Sequence, residues 1–383
     1  MHVSISITNM TKFSLNYIYL SVFLFINCNN SAVLKGSSSS PKNVIFLISD
    51  GAGLSQISSA YYFKNNSVHY SRFKHIGLIQ THSSDSDITD SAACGTAFAT
   101  GKKTYNGAIG VLDDFTRVEN LVEIASANGI KTAIVSTSSI THATPASFYA
   151  HVESRNQEKE IARQLSESDV DFFAGGGINY FSHGTDRQNL FDILGSKGFT
   201  VNIKELDAFE SIKSKNKLAY LLADTSMPKM LDGRGDFLKN ATLLGIEFLH
   251  QNNQPFFMMS EGSQVDWGGH ANDAEYLISE LIDFDETIGA VLDFAEKDGE
   301  TLVIVTSDHE TGGFTLSGKK YTDTNGHTHN DYRTIDPSFS TGGHSATLIP
   351  VFAYGPGAEA FSGIYDNTEI FHKIVRLTKW ASK

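Results

Sequence analysis

The 383-residue chain sets 30 Lys and Arg against 43 Asp and Glu, a formal net charge of −13. That balance excludes a nucleic-acid surface, which needs clustered cations, and an anionic ligand must instead be drawn in by bound metals or a placed arginine. Hydrophobic residues at 40% allow a large core, and two cysteines, Cys28 and Cys94, exclude a disulfide framework.

From the N-terminus, Lys12 precedes the apolar run YIYLSVFLFI (Tyr17–Ile26). The run is too short to span a bilayer and suits the core of a signal peptide. Cys28 follows at once, and then the polar, flexible stretch NNSAVLKGSSSSP. This resembles a bacterial lipoprotein signal, in which the cysteine becomes the lipidated first residue, although Phe25, Ile26 and Asn27 fit the usual small-residue pattern poorly. The expectation is a signal segment over 1–28, a tether over 29–41 and one catalytic domain over 42–383. The protein would then be exported to the periplasm or anchored at the outer membrane of a bacterium, with simple cleavage near the same point as the alternative. Membrane contact would run only through lipid on Cys28.

NVIFLIS (Asn43–Ser49) is a continuous apolar run, as expected of a strand buried on both faces. Similar runs follow at 77–82, 131–137, 170–175, 255–260, 301–307 and 350–355. Helical patterns lie between them, the clearest at Glu275–Lys297, where Leu277, Leu281, Phe284, Ile288, Val291 and Ala295 share one face. The alternation predicts an α/β fold, a three-layer α/β/α sandwich around a mostly parallel central sheet. Two polar stretches, 178–237 and 317–343, break the pattern and read as insertions over the carboxyl ends of the strands, where such folds bind ligands.

The strand ends carry the chemistry. Asp50 follows the first strand in SDGAG, and Thr144 lies just after another in THATPA. EGSQVDWGGH supplies Glu261, Asp266 and His270, SDHETGG supplies Asp308 and His309, and GGHSA supplies His344. Any one of these residues reads as a turn or a helix cap. Together they crowd carboxylates and imidazoles onto one sheet edge, which is costly unless cations neutralise them. Histidine with carboxylate favours zinc, and carboxylate with hydroxyl favours magnesium. Asp266 and His270, four apart, would face the same ion from one helical turn. Ser91, after Asp90 in TDSAACGTAFATG, reads as a helix cap or as a nucleophile at a helix N-terminus. Arg155 in isolation would be a surface residue pairing with Glu153 or Glu158. Cys94 reads as a small buried helix residue, and His327 and His329 as solvated loop histidines rather than a further metal site.

SDGAG, TDSAACGTAFATG, HATPASFYAHVESR, EGSQVDWGGH, TSDHETGG and GGHSA, in this order, resemble the motif set of the alkaline phosphatases, across about residues 43–360. The resemblance implies two zinc ions and one magnesium. Asp266, His270 and His344 would hold one zinc, and Asp50, Asp308 and His309 the other. Asp50, Thr144 and Glu261 would hold the magnesium. Ser91 would be the phosphorylated nucleophile and Arg155 the phosphate clamp, a guanidinium offering a planar fork for two phosphoryl oxygens. Phosphate monoesters would be hydrolysed through a phosphoserine, small phosphorylated molecules would be the partners, and a homodimer is implied.

Family members often carry Asp where this chain has His142 and Lys where it has Trp267, so both residues would shape the phosphate and magnesium surroundings. A superfamily phosphodiesterase or sulfatase is the competing enzyme, but sulfatases use Cys/Ser-x-Pro-x-Arg, which DSAAC lacks. A non-catalytic metal- or phosphate-binding lipoprotein would have lost a ligand or the nucleophile, and every such position here is filled.

Overall fold

The computed structural model describes residues 40–182 and 189–380. The signal segment, Cys28 and all but the last two residues of the 29–41 tether lie outside them.

The strands are β1 (Asn43–Ser49), β2 (His75–Gln80), β3 (Lys131–Ser139), β4 (Phe172–Gly176), β5 (Phe199–Asn202), β6 (Lys217–Leu221) and β7 (Phe256–Gly262). They continue as β8 (Thr301–Thr306), β9 (Glu310–Thr311), β10 (Thr315–Thr322), β11 (Thr328–Ser338), β12 (His344–Ser345), β13 (Ile349–Tyr354) and β14 (Gly363–Asp366). Ten of them form one sheet in the order β14-β2-β13-β8-β1-β7-β3-β4-β6-β5. All neighbours pair in parallel except β13, which runs antiparallel to both β2 and β8.

Side-chain alternation along a strand builds the three layers. Val44, Phe46 and Ile48 of β1 enter the core on one face, with Phe98, Phe148 and Phe257. Ile45 and Leu47 enter the other, with Leu281, Phe284 and Ile288. Those three belong to the helix Ala274–Asp298, which starts where the Asp273 side chain accepts from Tyr276 N at 3.1 Å and stops at Gly299, φ 73°. The whole stripe predicted for that helix is buried, each Leu, Ile, Val or Phe stabilising by about 1.5–3 kcal/mol.

Two stretches depart from expectation. Residues 178–237 contain β5 and β6, which complete one edge of the sheet, so much of this stretch extends the sheet itself. Its strands are four and five residues long, too short to leave a periodic signature. The 317–343 stretch is mainly a separate hairpin, β10–β11, closed at its base by Phe314 and Phe339, ring centroids 5.2 Å apart.

Candidate active site

The order β8-β1-β7-β3 sets four parallel strands side by side, with their carboxyl ends at one edge. Asp50 leaves β1, Glu261 lies near the end of β7, Asp308 and His309 follow β8, and His142 and Thr144 follow β3. Gly51 N donates to Asp308 Oδ1 at 3.2 Å, locking the two turns together. Gly51 has φ 77°, and a Cβ there would lie 2.5 Å from Asp266 Cα, so this close approach requires glycine.

Three groups of donors converge among the described residues. Each offers ligand atoms within 4.8 Å of one another: Asp266, His270 and His344; Asp50, Asp308 and His309; and Asp50, His142 and Glu261. In the first, Asp266 and His270 share the helix Gln264–His270 as the one-turn spacing predicts, with His270 Nε2 3.3 Å from Asp266 Oδ1. His270 Nδ1 donates to Gly342 O at 2.7 Å and His344 Nδ1 to Thr89 O at 2.8 Å. Both Nε2 atoms therefore present lone pairs, 3.2 Å apart, an arrangement that suits a shared cation.

In the second group, Thr311 supplies the tautomer logic. Its hydroxyl donates its one proton to Asp266 Oδ1 at 2.5 Å, so it accepts from His309 Nδ1 at 3.2 Å. His309 Nε2 is left as a lone pair facing Asp308 Oδ2 at 3.2 Å and Asp50 Oδ1 at 3.6 Å. Both carboxylate oxygens of Asp50, with Asp308 Oδ2, Glu261 Oε1, Thr144 Oγ1 and His142 Nδ1, are buried without a hydrogen-bond partner. Burial, with the charges of Asp308, Asp266 and Glu261, holds the Asp50 carboxyl well above its ordinary range. Burial also raises Asp308, lifts Glu261 to about 7 and pushes His309 well below the ordinary imidazole value. Cations would satisfy every one of these atoms at once.

Asp90, not Ser91, is the N-cap of the helix Ser91–Thr100, its Oδ1 accepting from Ala93 N at 2.9 Å. This corrects the cap reading of Ser91, which is the first helical residue, with its Oγ 3.3 Å from His309 Nε2. Asp90 has a second task. Its Oδ2 accepts from Arg155 Nη1 at 2.9 Å, while Arg155 Nη2 donates to His142 Nε2 at 3.2 Å. Arg155 is thus turned into the site instead of pairing with Glu153 or Glu158; Glu158 accepts from Thr141 Oγ1 at 2.8 Å. Burial and the neighbouring guanidinium push His142 down to about 3, so it is neutral when it accepts from Arg155. Trp267 sets its ring edge-on to His142, centroids 5.9 Å apart.

The structure brings all twelve predicted site residues to this one edge. Sequence reasoning missed Asp90 as cap and guanidinium anchor, though its place directly before Ser91 was the signal. It also missed Thr311, two residues after His309, whose hydroxyl links two of the donor groups. Cys94 is buried on its helix, its thiol pushed well up by burial. His327 and His329 lie on the exposed hairpin, away from these groups.

The alkaline phosphatase family model matches residues 41–336. Alkaline phosphatase 4 of Bacillus subtilis (strain 168) is 33% identical, over 88% of this chain and 89% of its own length. The solved structure of the alkaline phosphatase from the Antarctic bacterium TAB5 is 61% identical, with a TM-score of 0.87 over 90% of this chain and 99% of that one. A histidine-to-aspartate variant of the TAB5 enzyme with Mg bound in its M3 site is 62% identical, with a TM-score of 0.88 over the same shares.

Proposed function

The chain belongs to the alkaline phosphatase family, and on that premise we propose how it hydrolyses phosphate monoesters: through a phosphoserine on Ser91, at a site holding two zinc ions and one magnesium. The observation that carries this reading is the set of buried, partnerless donor atoms around Ser91. Asp266, His270 and His344 would hold one zinc; Asp50, Asp308 and His309 would hold the second. Asp50, Thr144 and Glu261 would hold the magnesium, with His142 beside it. When bound, these ions neutralise the carboxylates and supply the Lewis acidity that phosphoryl transfer draws on.

The chain's own residues do the positioning. The Asp90 cap sets the first turn of the helix, so Ser91 Oγ is held beside His309 at the N-terminal end, where peptide N–H groups favour an anion. Asp90 and His142 each take one Nη of Arg155 and fix the plane of its fork. The guanidinium then binds two non-bridging oxygens of the substrate, leaving phosphorus open to in-line attack by Ser91 Oγ. The P–O bond to the substrate alcohol breaks as Ser91 Oγ gives up its proton and bonds to phosphorus, the alcohol oxygen leaving with the bonding pair and taking up a proton in exchange. Water then cleaves the phosphoserine, regenerating Ser91 and releasing inorganic phosphate. His142 adds no charge beside the magnesium group, and Trp267 offers an apolar face where an ammonium would grip phosphate. Both favour an exchangeable magnesium and fast product release.

The N-terminal sequence supports export, with lipid on Cys28 and residues 29–41 as a tether to the single catalytic domain. Among the described residues no helix is long and apolar enough to cross a membrane. The working unit we propose is a homodimer, which sedimentation would check.

Steady-state assays with an aryl phosphate, an aryl phosphodiester and an aryl sulfate test the reaction class. Turnover of the monoester should dominate, and intact mass after a low-pH quench should show one phosphoryl adduct, lost in Ser91→Ala. Preference for the diester or the sulfate, or an adduct that survives the substitution, would overturn the assignment.

A further inference from the structure

Behind the magnesium group lies a closed set of hydroxyls that the reaction above does not use. Register places it there: Ser136 of β3 is the direct neighbour of Glu261 on β7. Ser136, Thr137, Ser138, Glu261 and Ser263 are all fully buried. Ser136 Oγ donates to Glu261 Oε2 at 2.6 Å. It also meets Ser138 Oγ at 2.7 Å and Ser263 Oγ at 2.9 Å, and accepts from Ser138 N at 3.0 Å. Ser263 is held in turn, its N–H donating to Thr137 Oγ1 at 2.8 Å.

A hydroxyl has one proton and two lone pairs. Once the Ser136 proton is given to the carboxylate, its two lone pairs take the Ser138 N–H and the Ser263 hydroxyl, while the Ser138 hydroxyl can donate to Ser139 O at 2.9 Å. The Ser136 proton is the one that ends on Oε2. The other oxygen, Oε1, is buried with no partner, as are Thr144 Oγ1 and both oxygens of Asp50. One half of the Glu261 carboxylate is tied down and the other half is left for a cation.

We propose that Ser136 is a positioning residue that fixes the rotation of the Glu261 carboxylate, so that Oε1 alone faces the magnesium group, and thereby sets the affinity of that group for its ion. The inference rests on the assignment of Glu261 as a magnesium ligand. Residues that orient ligands commonly carry a 10–100-fold share of metal affinity. Without the Ser136 hydroxyl, Oε2 loses its donor at 2.6 Å and the carboxylate is held less firmly. Neither zinc group contains Glu261, so zinc should be untouched.

The test is equilibrium dialysis of the full-length, zinc-loaded protein against magnesium, with bound ions counted by atomic emission. Ser136→Ala should weaken magnesium binding by roughly 10-fold or more while zinc content stays at the wild-type level. Ser136→Thr, which keeps the hydroxyl, should restore wild-type affinity. Ser263→Ala, which removes a supporting donor without touching Ser136, should give a smaller loss in the same direction and serves if Ser136→Ala does not fold. Unchanged magnesium affinity in Ser136→Ala, or in Ser263→Ala where that variant stands in, overturns the proposal. Equal loss of zinc and magnesium also overturns it, since that marks a general structural role. A wild-type protein that binds no magnesium beyond its zinc refutes the Glu261 assignment itself, an outcome separate from failure of Ser136.

Discussion

Among the described residues, the β10–β11 hairpin and the sheet edge each bring an aspartate together with histidines, and they behave in opposite ways. On the β10–β11 hairpin, Asp323 Oδ1 accepts from Asn325 N and His327 N, both at 2.9 Å, and Oδ2 is 2.9 Å from His329 Nε2. Its hydrogen bonds, led by the one from His329, lower the carboxyl below its ordinary value. At the sheet edge, Asp50 lies fully buried with no partner on either oxygen, and its carboxyl is raised. The residue types are the same. The hairpin carboxylate is solvated and satisfied locally, so it asks nothing of a cation, whereas the buried one has lost water and gained like-charged neighbours. What marks the candidate metal centre here is unpaid desolvation more than ligand identity.

The comparison can be broken at several points. The largest effect should come from Ser91→Ala, which leaves the buried donors intact. Its kcat should fall by roughly 10³-fold or more, about 4 kcal/mol of transition-state stabilisation, with bound zinc unchanged. Zinc lost in parallel with activity would show that Ser91 serves the metal centre rather than the substrate.

Next, Asp308→Asn should strip one zinc and lower kcat/KM by roughly 100-fold or more, since metal polarisation supplies several kcal/mol. Atomic emission checks the ion count, and a fully loaded, active variant would defeat the account.

A third effect is on stability. The Glu261 carboxyl stands at about 7 in the folded chain against an ordinary 4.5. A raised acid costs stability once the unfolded form ionises. In metal-stripped protein the Glu261 contribution should therefore be full below about pH 4.5 and be lost as pH rises to about 7, on the order of 3 kcal/mol from this group. Asp50 and Asp308 act in the same sense, while the neutral, buried His142 and His309 act in the opposite sense below about pH 6.5. Restored zinc and magnesium should flatten the trend. Denaturant titrations of stripped wild type and stripped Glu261→Gln at pH 5 and pH 8 decide it: the wild type should lose more stability than the variant between the two, and identical profiles would contradict the burial argument.

Arg155→Ala should cost about 1.5–3 kcal/mol in kcat/KM, as for a lost hydrogen bond to a charged group, and should weaken competitive inhibition by phosphate. Unchanged inhibition would remove Arg155 from the clamp. The smallest effect belongs to the hairpin: Asp323→Asn should leave activity and zinc content within about twofold, as exposed substitutions do. A larger drop would mean that the satisfied cluster is functional after all.

The buried runs at β1, β7 and β8 were legible because strands covered on both faces are apolar along their whole length. Asp50 and Asp308 were legible because each ends such a run. β5 and β6 were not, since both are short, β6 owes its place to β4, far off in sequence, and β5 pairs only with β6. The tie between Asp90 and Arg155 was also hidden. It depends on a contact 65 residues apart, which no local spacing encodes. Ser136 was invisible for a related reason: in VSTSS it is one hydroxyl among four, and only its register against Glu261 singles it out.

The strand order has a consequence in time. Donors that meet in space come from residues 50, 261, 308 and 344, and the Gly51–Asp308 bond alone closes a loop of 257 residues. Long-range pairings of this kind form late and slowly. Ribosomal synthesis at roughly 5–20 residues per second puts about 15–60 s between the first aspartate and the last histidine. Through that interval the early half of the chain holds single carboxylates and no chelating set. With the ions held as proposed, their selection would be a closing event of folding, and truncated or stalled chains should bind zinc no better than an unfolded peptide.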